Sequence, residues 1–265
     1  MNLNFKHENI SIYIDDNTIN NFSYQVEQFN NMIDHEKLFR NIVIELINTN
    51  LIDKNKNIID VGGYVGDNSL PWAKKINGLV YCVEPSNVNI QFIKELKKTN
   101  SINNIKLFET CISDKEEVLS TNGEIDLGHN LSFAYDKKKW SLIWNKNENK
   151  KHKINATSFD ILYEKKEIDN ITFLHIDVEG LELNVLNGSK NIIEVFKPIV
   201  AFEVHLNQPI PNKDDMINFF KDRNYIVYII DEQCGKKDCR NLLAIPKEYN
   251  DKIVNSIFFK DLKEC

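Results

Sequence analysis

From Asn57 onward, short apolar runs alternate with amphipathic helical stretches, and this alternation leaves the chain few architectures. Each apolar run is too short for a core helix, and each is followed by enough residues for a crossover helix, which is the pattern of a parallel sheet covered on both faces. Strands are expected near 58–61, 79–83, 105–109, 171–176 and 199–204, with helices near 68–76, 88–99, 181–194 and 213–223. Two more runs, 225–230 and 241–245, are separated only by Asp231–Arg240, which leaves no room for a crossover, so they must pair antiparallel. The expected fold is α/β, a mostly parallel seven-stranded sheet ending in an antiparallel hairpin.

Ahead of it, Ile10–Ile14 alternates at period two, and from Ile19 to Asn50 the pattern is helical. Phe39, Ile42, Val43, Leu46 and Ile47 form one apolar face. Residues 1–54 are therefore expected to be a helical lead, either structural cover or part of a substrate lid, packed on a main domain over 55–265. A formal net charge of −6 does not suit a protein that coats nucleic acid. No window approaches a membrane span, and the start of the sequence lacks the basic and apolar regions of a secretory leader. The five cysteines are odd in number and scattered, and Cys234 and Cys239 are too far apart for a C-x-x-C pair. Free thiols in a cytoplasmic protein are the expectation. The oligomeric state is not legible.

Four segments carry chemistry. Asp60-Val61-Gly62-Gly63-Tyr64-Val65-Gly66-Asp67-Asn68 joins a strand to a helix. Glycine is needed where such a turn is tight and its backbone approaches a ligand. The spacing is not the G-x-G-x-x-G of a dinucleotide site, nor does it carry the Lys-Ser/Thr of a phosphate loop. Asp60 would repel a pyrophosphate but suits the ammonium of a methionine moiety. Glu84, before Pro85, ends the next strand, where a carboxylate can accept two ribose hydroxyls. Asp177 and Glu179 follow the apolar run ending at Ile176, and Glu203 and His205 end another run on one side of the strand. Ligands collect at the carboxyl ends of parallel strands, so these acids should border one crevice. Glu182 reads as helix-end complement. Asp177, Glu203 and His205 form a set able to deprotonate a hydroxyl or to hold a divalent ion such as Mg²⁺, Mn²⁺ or Fe²⁺. Each of these residues also has a bland reading, as an ordinary turn, a helix-end charge or a hydrogen-bonded core histidine.

These segments, with Ile176–Leu183 and Pro198–His205, resemble the FkbM family of class I S-adenosylmethionine-dependent methyltransferases over about residues 55–246. The resemblance implies a Rossmann-like methyltransferase fold and O-methylation, often of sugars in polysaccharides, glycolipids or natural products. It implies that Asp60, Gly62 and Gly66, with Asn68, face the methionine part of the cofactor, and Glu84 the ribose. Ser113 and Asp114 fall near the adenine, and Asp177 borders the cofactor as well as the acceptor. Asn130-Leu131-Ser132 and Ala156–Asp160 also resemble family segments. The chain departs from the pattern at His175, usually Lys, and at Gly63-Tyr64, usually Ala-Asn.

The segment Gly123–Lys153 matches nothing in the family. Lysines 137, 138, 139, 146, 150, 151 and 153, interleaved with Trp140 and Trp144, form either a solvated face or a loop that meets an anionic acceptor. The function expected is O-methylation of a sugar or sugar nucleotide in surface polysaccharide or glycan biosynthesis. The alternatives are a lipid or secondary-metabolite acceptor, and a non-catalytic protein that retains the fold. An oxidoreductase is disfavoured by the glycine spacing.

Overall fold

The computed structural model describes residues 2–5, 10–121, 152–206, 213–234 and 238–265. Trp140, Trp144, the Asn130-Leu131-Ser132 segment and every lysine of the 137–151 run lie outside the described residues.

The chain opens with a hairpin of β1 (Asn2–Phe5) and β2 (Ile10–Tyr13), then α1 (Asp16–Asn21), α2 (Ser23–Met32) and α3 (Lys37–Asn48). Asp15 caps α1 by accepting the Thr18 N–H at 2.7 Å. The chain continues with β3 (Asn57–Val61), α4 (Ser69–Ala73), β4 (Val80–Val83), α5 (Asn87–Thr99) and β5 (Ile105–Phe108). Next come β6 (Cys111–Ile112), β7 (Glu117–Thr121), β8 (His152–Thr157), α6 (Phe159–Glu164) and β9 (Ile171–Ile176). The chain closes with α7 (Glu182–Asn187), α8 (Lys190–Phe196), β10 (Ile199–His205), α9 (Lys213–Lys221), β11 (Tyr225–Ile230), β12 (Cys239–Pro246), α10 (Asn250–Val254) and β13 (Leu262–Glu264).

The main sheet has the order β13-β11-β12-β10-β9-β3-β4-β5, parallel from β10 to β5 and antiparallel beyond. The α/β architecture and the terminal antiparallel hairpin match the expectation. The sheet has eight strands rather than seven, because the short β13 pairs with the outer edge of β11. A run of three residues is too short to show a period, so this strand is invisible to patterning. A second sheet of order β6-β8-β7 occupies the stretch where the pattern weakened. The single helix expected over 181–194 is two helices, α7 and α8, broken at Gly188-Ser189. A Cβ at Gly188 would lie 2.1 Å from the Ser113 carbonyl oxygen, so close passage of the β6 end fixes the break.

Side-chain alternation in the strands sorts the core into two layers. Ile58, Val80, Cys82, Phe173 and Ala201 pack with α4, α5 and the lead helix α3. Ile59, Val61, Tyr81, Val83, Leu174, Ile176 and Phe202 pack with α6 through α9. Polar contacts also tie α3 to the segment after β11. Glu232 accepts the N–H groups of Leu38 and Phe39 at 2.9 Å each, satisfying the exposed start of α3.

The expectation of five free thiols is corrected. Cys82, Cys111 and Cys265 are free, while Cys234 and Cys239 form a disulfide. The physical reason is the hairpin itself: the turn between β11 and β12 brings the two residues opposite one another, with Cα atoms 5.2 Å apart. Among the described residues no helix is long and apolar enough to cross a membrane.

Candidate active site

A cleft opens at the carboxyl ends of the parallel strands, where α/β sheets bind ligands. Its floor is the turn after β3. The peptides of Gly62 and Gly63 both donate to the Val83 carbonyl, at 3.0 Å each, which ties this turn to the tip of β4. Gly62 has φ +83 and Gly66 φ +80, in the left-handed region. Tyr64 is also left-handed, at φ 43, and its N–H donates to Glu84 Oε2 at 3.0 Å. The asparagine usual at that place in the FkbM pattern tolerates this conformation better than tyrosine does.

Gly63 shows why this chain departs from the alanine of the pattern. A Cβ there would meet the Cys82 Sγ at 2.3 Å, so the cysteine on the adjacent strand occupies the space an alanine methyl needs. Gly63→Ala alone is expected to destabilise the protein by about 1–3 kcal/mol through overpacking. The double variant Gly63→Ala with Cys82→Ala should recover most of that loss. Urea unfolding of the four proteins in a mutant cycle checks the coupling, and simple additivity would contradict it.

Glu84 is buried and faces the cleft. Its Oε1 accepts from the Ser86 N–H at 2.8 Å and from Asn89 Nδ2 at 3.3 Å. Burial nevertheless pushes its carboxyl up to about 7, only partly opposed by these donors. Asp177 is half-buried on the opposite wall, and its N–H continues the ladder to the Val61 carbonyl at 3.0 Å. Loss of water, followed by the nearby charges of Glu203 and Glu179, holds the Asp177 carboxyl well above the ordinary range. Glu182 is buried beneath this loop, accepting from Val178 and Gly180 N–H groups, and burial raises it to about 7. Its role is to shape the loop, in line with the structural reading of this residue.

The cleft lining brings together Gly62, Asn68, Glu84 and Asp177 from the expected set. Asp60 is not in the lining. It lies behind the cleft, hydrogen-bonded to Ser69 and, at 2.9 Å, to His175 Nδ1. Period two in β3 decides this: Val61 and Ile59 face one layer, so Asp60 faces the other. Gly66 shapes the turn from below, against Leu70 and Ile93. Ser113 is fully buried, donating to Glu117 at 2.5 Å, and Asp114 is exposed; neither lines the cleft. The adjacent Thr110, Cys111 and Ile112 do so instead. Glu203 and His205 stand beyond Asp177, outside the lining, with His205 Nε2 3.7 Å from Glu203 Oε2. The ligand atoms that converge within 4.8 Å are those of Glu179, Glu203 and His205, with Glu179 in the place expected for Asp177.

Sequence reasoning, which left the lead as cover or lid, singled out none of the lead residues that line the cleft, Gln28, Met32 and Glu36. Arg40 of α3 reaches under the glycine turn, pairing with Asp67 and donating from Nε to Asn68 Oδ1 at 2.9 Å. The only signal for this was Arg40 itself, a charge interrupting an apolar helix face.

Sheet order, glycine turn and acidic strand tips together define the class of Rossmann-like, S-adenosylmethionine-dependent methyltransferases. Within that class the chain belongs to the FkbM methyltransferase family, whose domain profile (Methyltransferase FkbM domain) matches residues 60–227. The solved methyltransferase FkbM from Methylobacillus flagellatus KT shares the fold at TM-score 0.51 and 16% identity, over 88% of this chain and 56% of that one. The present chain thus spans little more than half the length of that relative. A precorrin-6y C5,15-methyltransferase from Geobacter metallireducens GS-15 aligns at TM-score 0.45 and 10% identity, over 78% of this chain and 88% of that one. A SAM dependent methyltransferase from Aquifex aeolicus aligns at TM-score 0.42 and 12% identity, over 82% and 96%. None of the curated proteins compared matches this chain.

Proposed function

We propose that the protein is an O-methyltransferase that uses S-adenosylmethionine to methylate a hydroxyl of a sugar or sugar nucleotide, in surface polysaccharide or glycan biosynthesis. The observation that carries the cofactor reading is the charge of the cleft. Its described lining holds Glu36, Asp67, Glu84, Asp177 and Glu179 but no lysine or arginine. A cationic ligand draws protons off the raised Glu84 and Asp177 carboxyls and is favoured by such a lining, whereas a pyrophosphate would meet no lysine or arginine there. Bound S-adenosylmethionine supplies an activated methyl group carried on a sulfonium.

The chain's own residues then have distinct tasks. Glu84, held by Tyr64, Ser86 and Asn89, presents a fixed carboxylate for a ribose diol. Gly62 and Asn68 border the methionine end. Val83, Cys111 and Ile112 offer apolar surface for a base. Asp177 takes the acceptor proton, and the burial and neighbouring carboxylates that raise its proton affinity strengthen it as a base. Glu203 and His205 support Asp177 from behind. The acceptor class rests on the family resemblance and on the lysine-rich stretch 137–153. A lipid or secondary-metabolite hydroxyl is the alternative acceptor. Convergence of Glu179, Glu203 and His205 favours a second reading in which a divalent ion orients the acceptor there.

Isothermal titration with S-adenosylmethionine and with a nicotinamide dinucleotide tests the cofactor. Binding of the first alone is expected. Because the Glu84 carboxyl is raised to about 7, it is protonated below that pH, so affinity should rise as pH climbs through 7. Glu84→Gln should weaken binding about 10–100-fold and flatten this profile. Dinucleotide binding without S-adenosylmethionine binding would overturn the reading. An acceptor screen with and without EDTA follows; activity on a neutral glycan but on no sugar nucleotide would reject the nucleotide acceptor, and binding without turnover on any acceptor would favour a non-catalytic protein.

A further inference from the structure

Beyond the cleft, a second group of metal-ligating side chains converges among the described residues. The ligand atoms of Glu203, Cys234 and Cys239 all lie within 4.8 Å of one another. Both cysteines are buried, and none of the three residues lines the cleft. Cys239 Sγ sits 2.6 Å from Glu203 Oε1. With the disulfide closed, that sulfur has no hydrogen to donate to the carboxylate oxygen. Opened and ionised, the same three groups would place two thiolates and a carboxylate in one buried spot, an arrangement that requires a cation.

Glu203 and Cys239 are held on a strand ladder. Glu203 and His205 on β10 pair across the antiparallel ladder with Asn241 and Cys239 on β12. His205 stands beside them, its Nε2 3.7 Å from Glu203 Oε2. Two thiolates are soft ligands, which select Zn²⁺ over Mg²⁺ or Ca²⁺, and with one carboxylate and one imidazole or water they complete a tetrahedral set.

We propose that the Cys234–Cys239 pair, once reduced, forms with Glu203 a binding site for a soft divalent cation of the Zn²⁺ type, closed by oxidation to the disulfide. The balance is simple. A dithiol or phosphine reductant supplies two electrons, two protons complete the thiols, and the reductant is oxidised. Cation binding then releases the two thiol protons. The proposal goes beyond methyl transfer and does not depend on it.

The test uses Co²⁺ as an optical stand-in for Zn²⁺, with no S-adenosylmethionine present. The full chain, reduced with a phosphine and desalted without oxygen, is expected to bind one Co²⁺ with intense thiolate-to-metal absorption in the near ultraviolet, displaced by Zn²⁺. The oxidised protein should show no such band and should have two fewer titratable thiols. Cys234→Ser and Cys239→Ser should each abolish the band, and Glu203→Gln should weaken Co²⁺ binding about tenfold. A band surviving in the serine variants would place the metal on Cys82, Cys111 or Cys265 and overturn the proposal. So would absence of the band in reduced protein, whether it keeps its circular dichroism or unfolds and is not restored by Co²⁺.

Discussion

Gly62→Ala is expected to abolish S-adenosylmethionine binding and to lower the unfolding free energy by more than about 3 kcal/mol. Two costs act together. The backbone at φ +83 disfavours any side chain, and a Cβ would lie 1.7 Å from the Asp177 carbonyl oxygen and 2.8 Å from its carbon. Those are backbone atoms at the tip of β9, so no rotamer change relieves the contact; the two strand tips must separate, and the cleft lies between them. Gly180→Ala is the informative comparison. It too has positive φ, +112, but its Cβ would meet nothing within 4 Å. That variant should lose only the cost of backbone strain, about 1–2 kcal/mol. Urea unfolding and titration calorimetry on both variants check the pair, and a Gly62 variant no less stable than the Gly180 one would refute the steric account.

His175→Ala is the second large effect, about 3–5 kcal/mol of stability. The residue is buried, hydrogen-bonded to Asp60 at 2.9 Å, stacked on Phe39 at 5.1 Å and edge-on to Trp72 at 5.5 Å. Alanine would leave a cavity between two rings and deprive a buried carboxyl of one of its partners, leaving it Ser69 among the described residues. His175→Lys, restoring the residue usual in the FkbM pattern, keeps a donor for Asp60 and should lose clearly less than alanine. Thermal and urea unfolding of the two variants decide it; equal losses would mean that ring packing, and not the partner for Asp60, dominates. The His175 side chain lies on the layer covered by the lead and outside the cleft lining, which accounts for this structural role.

The parts of the site that were legible in the sequence are those fixed by local geometry. Gly62 and Gly66 announce a left-handed turn because only glycine adopts it cheaply, and Glu84-Pro85 marks a strand tip because proline cannot continue the ladder. Alternating short apolar runs and helical stretches determine the parallel sheet, since each run needs cover on both faces. Which way a tip residue points was harder to read. Asp60 and Glu84 end neighbouring strands, yet Glu84 faces the cleft and Asp60 faces a histidine, a difference of one step in a period of two.

Distance along the chain hid the rest. Glu36 lines the cleft and Arg40 holds Asp67 and Asn68, although both belong to a lead that periodicity describes only as a helix with one apolar face. Cys234 and Cys239 are bonded because a hairpin folds them opposite one another. The sequence alone determined the fold class and the ends of the strands, because backbone conformation and hydrophobic period are local properties. Only the tertiary structure decided which acids share water, protons and partners, because desolvation and charge act through space between residues that the chain itself keeps far apart.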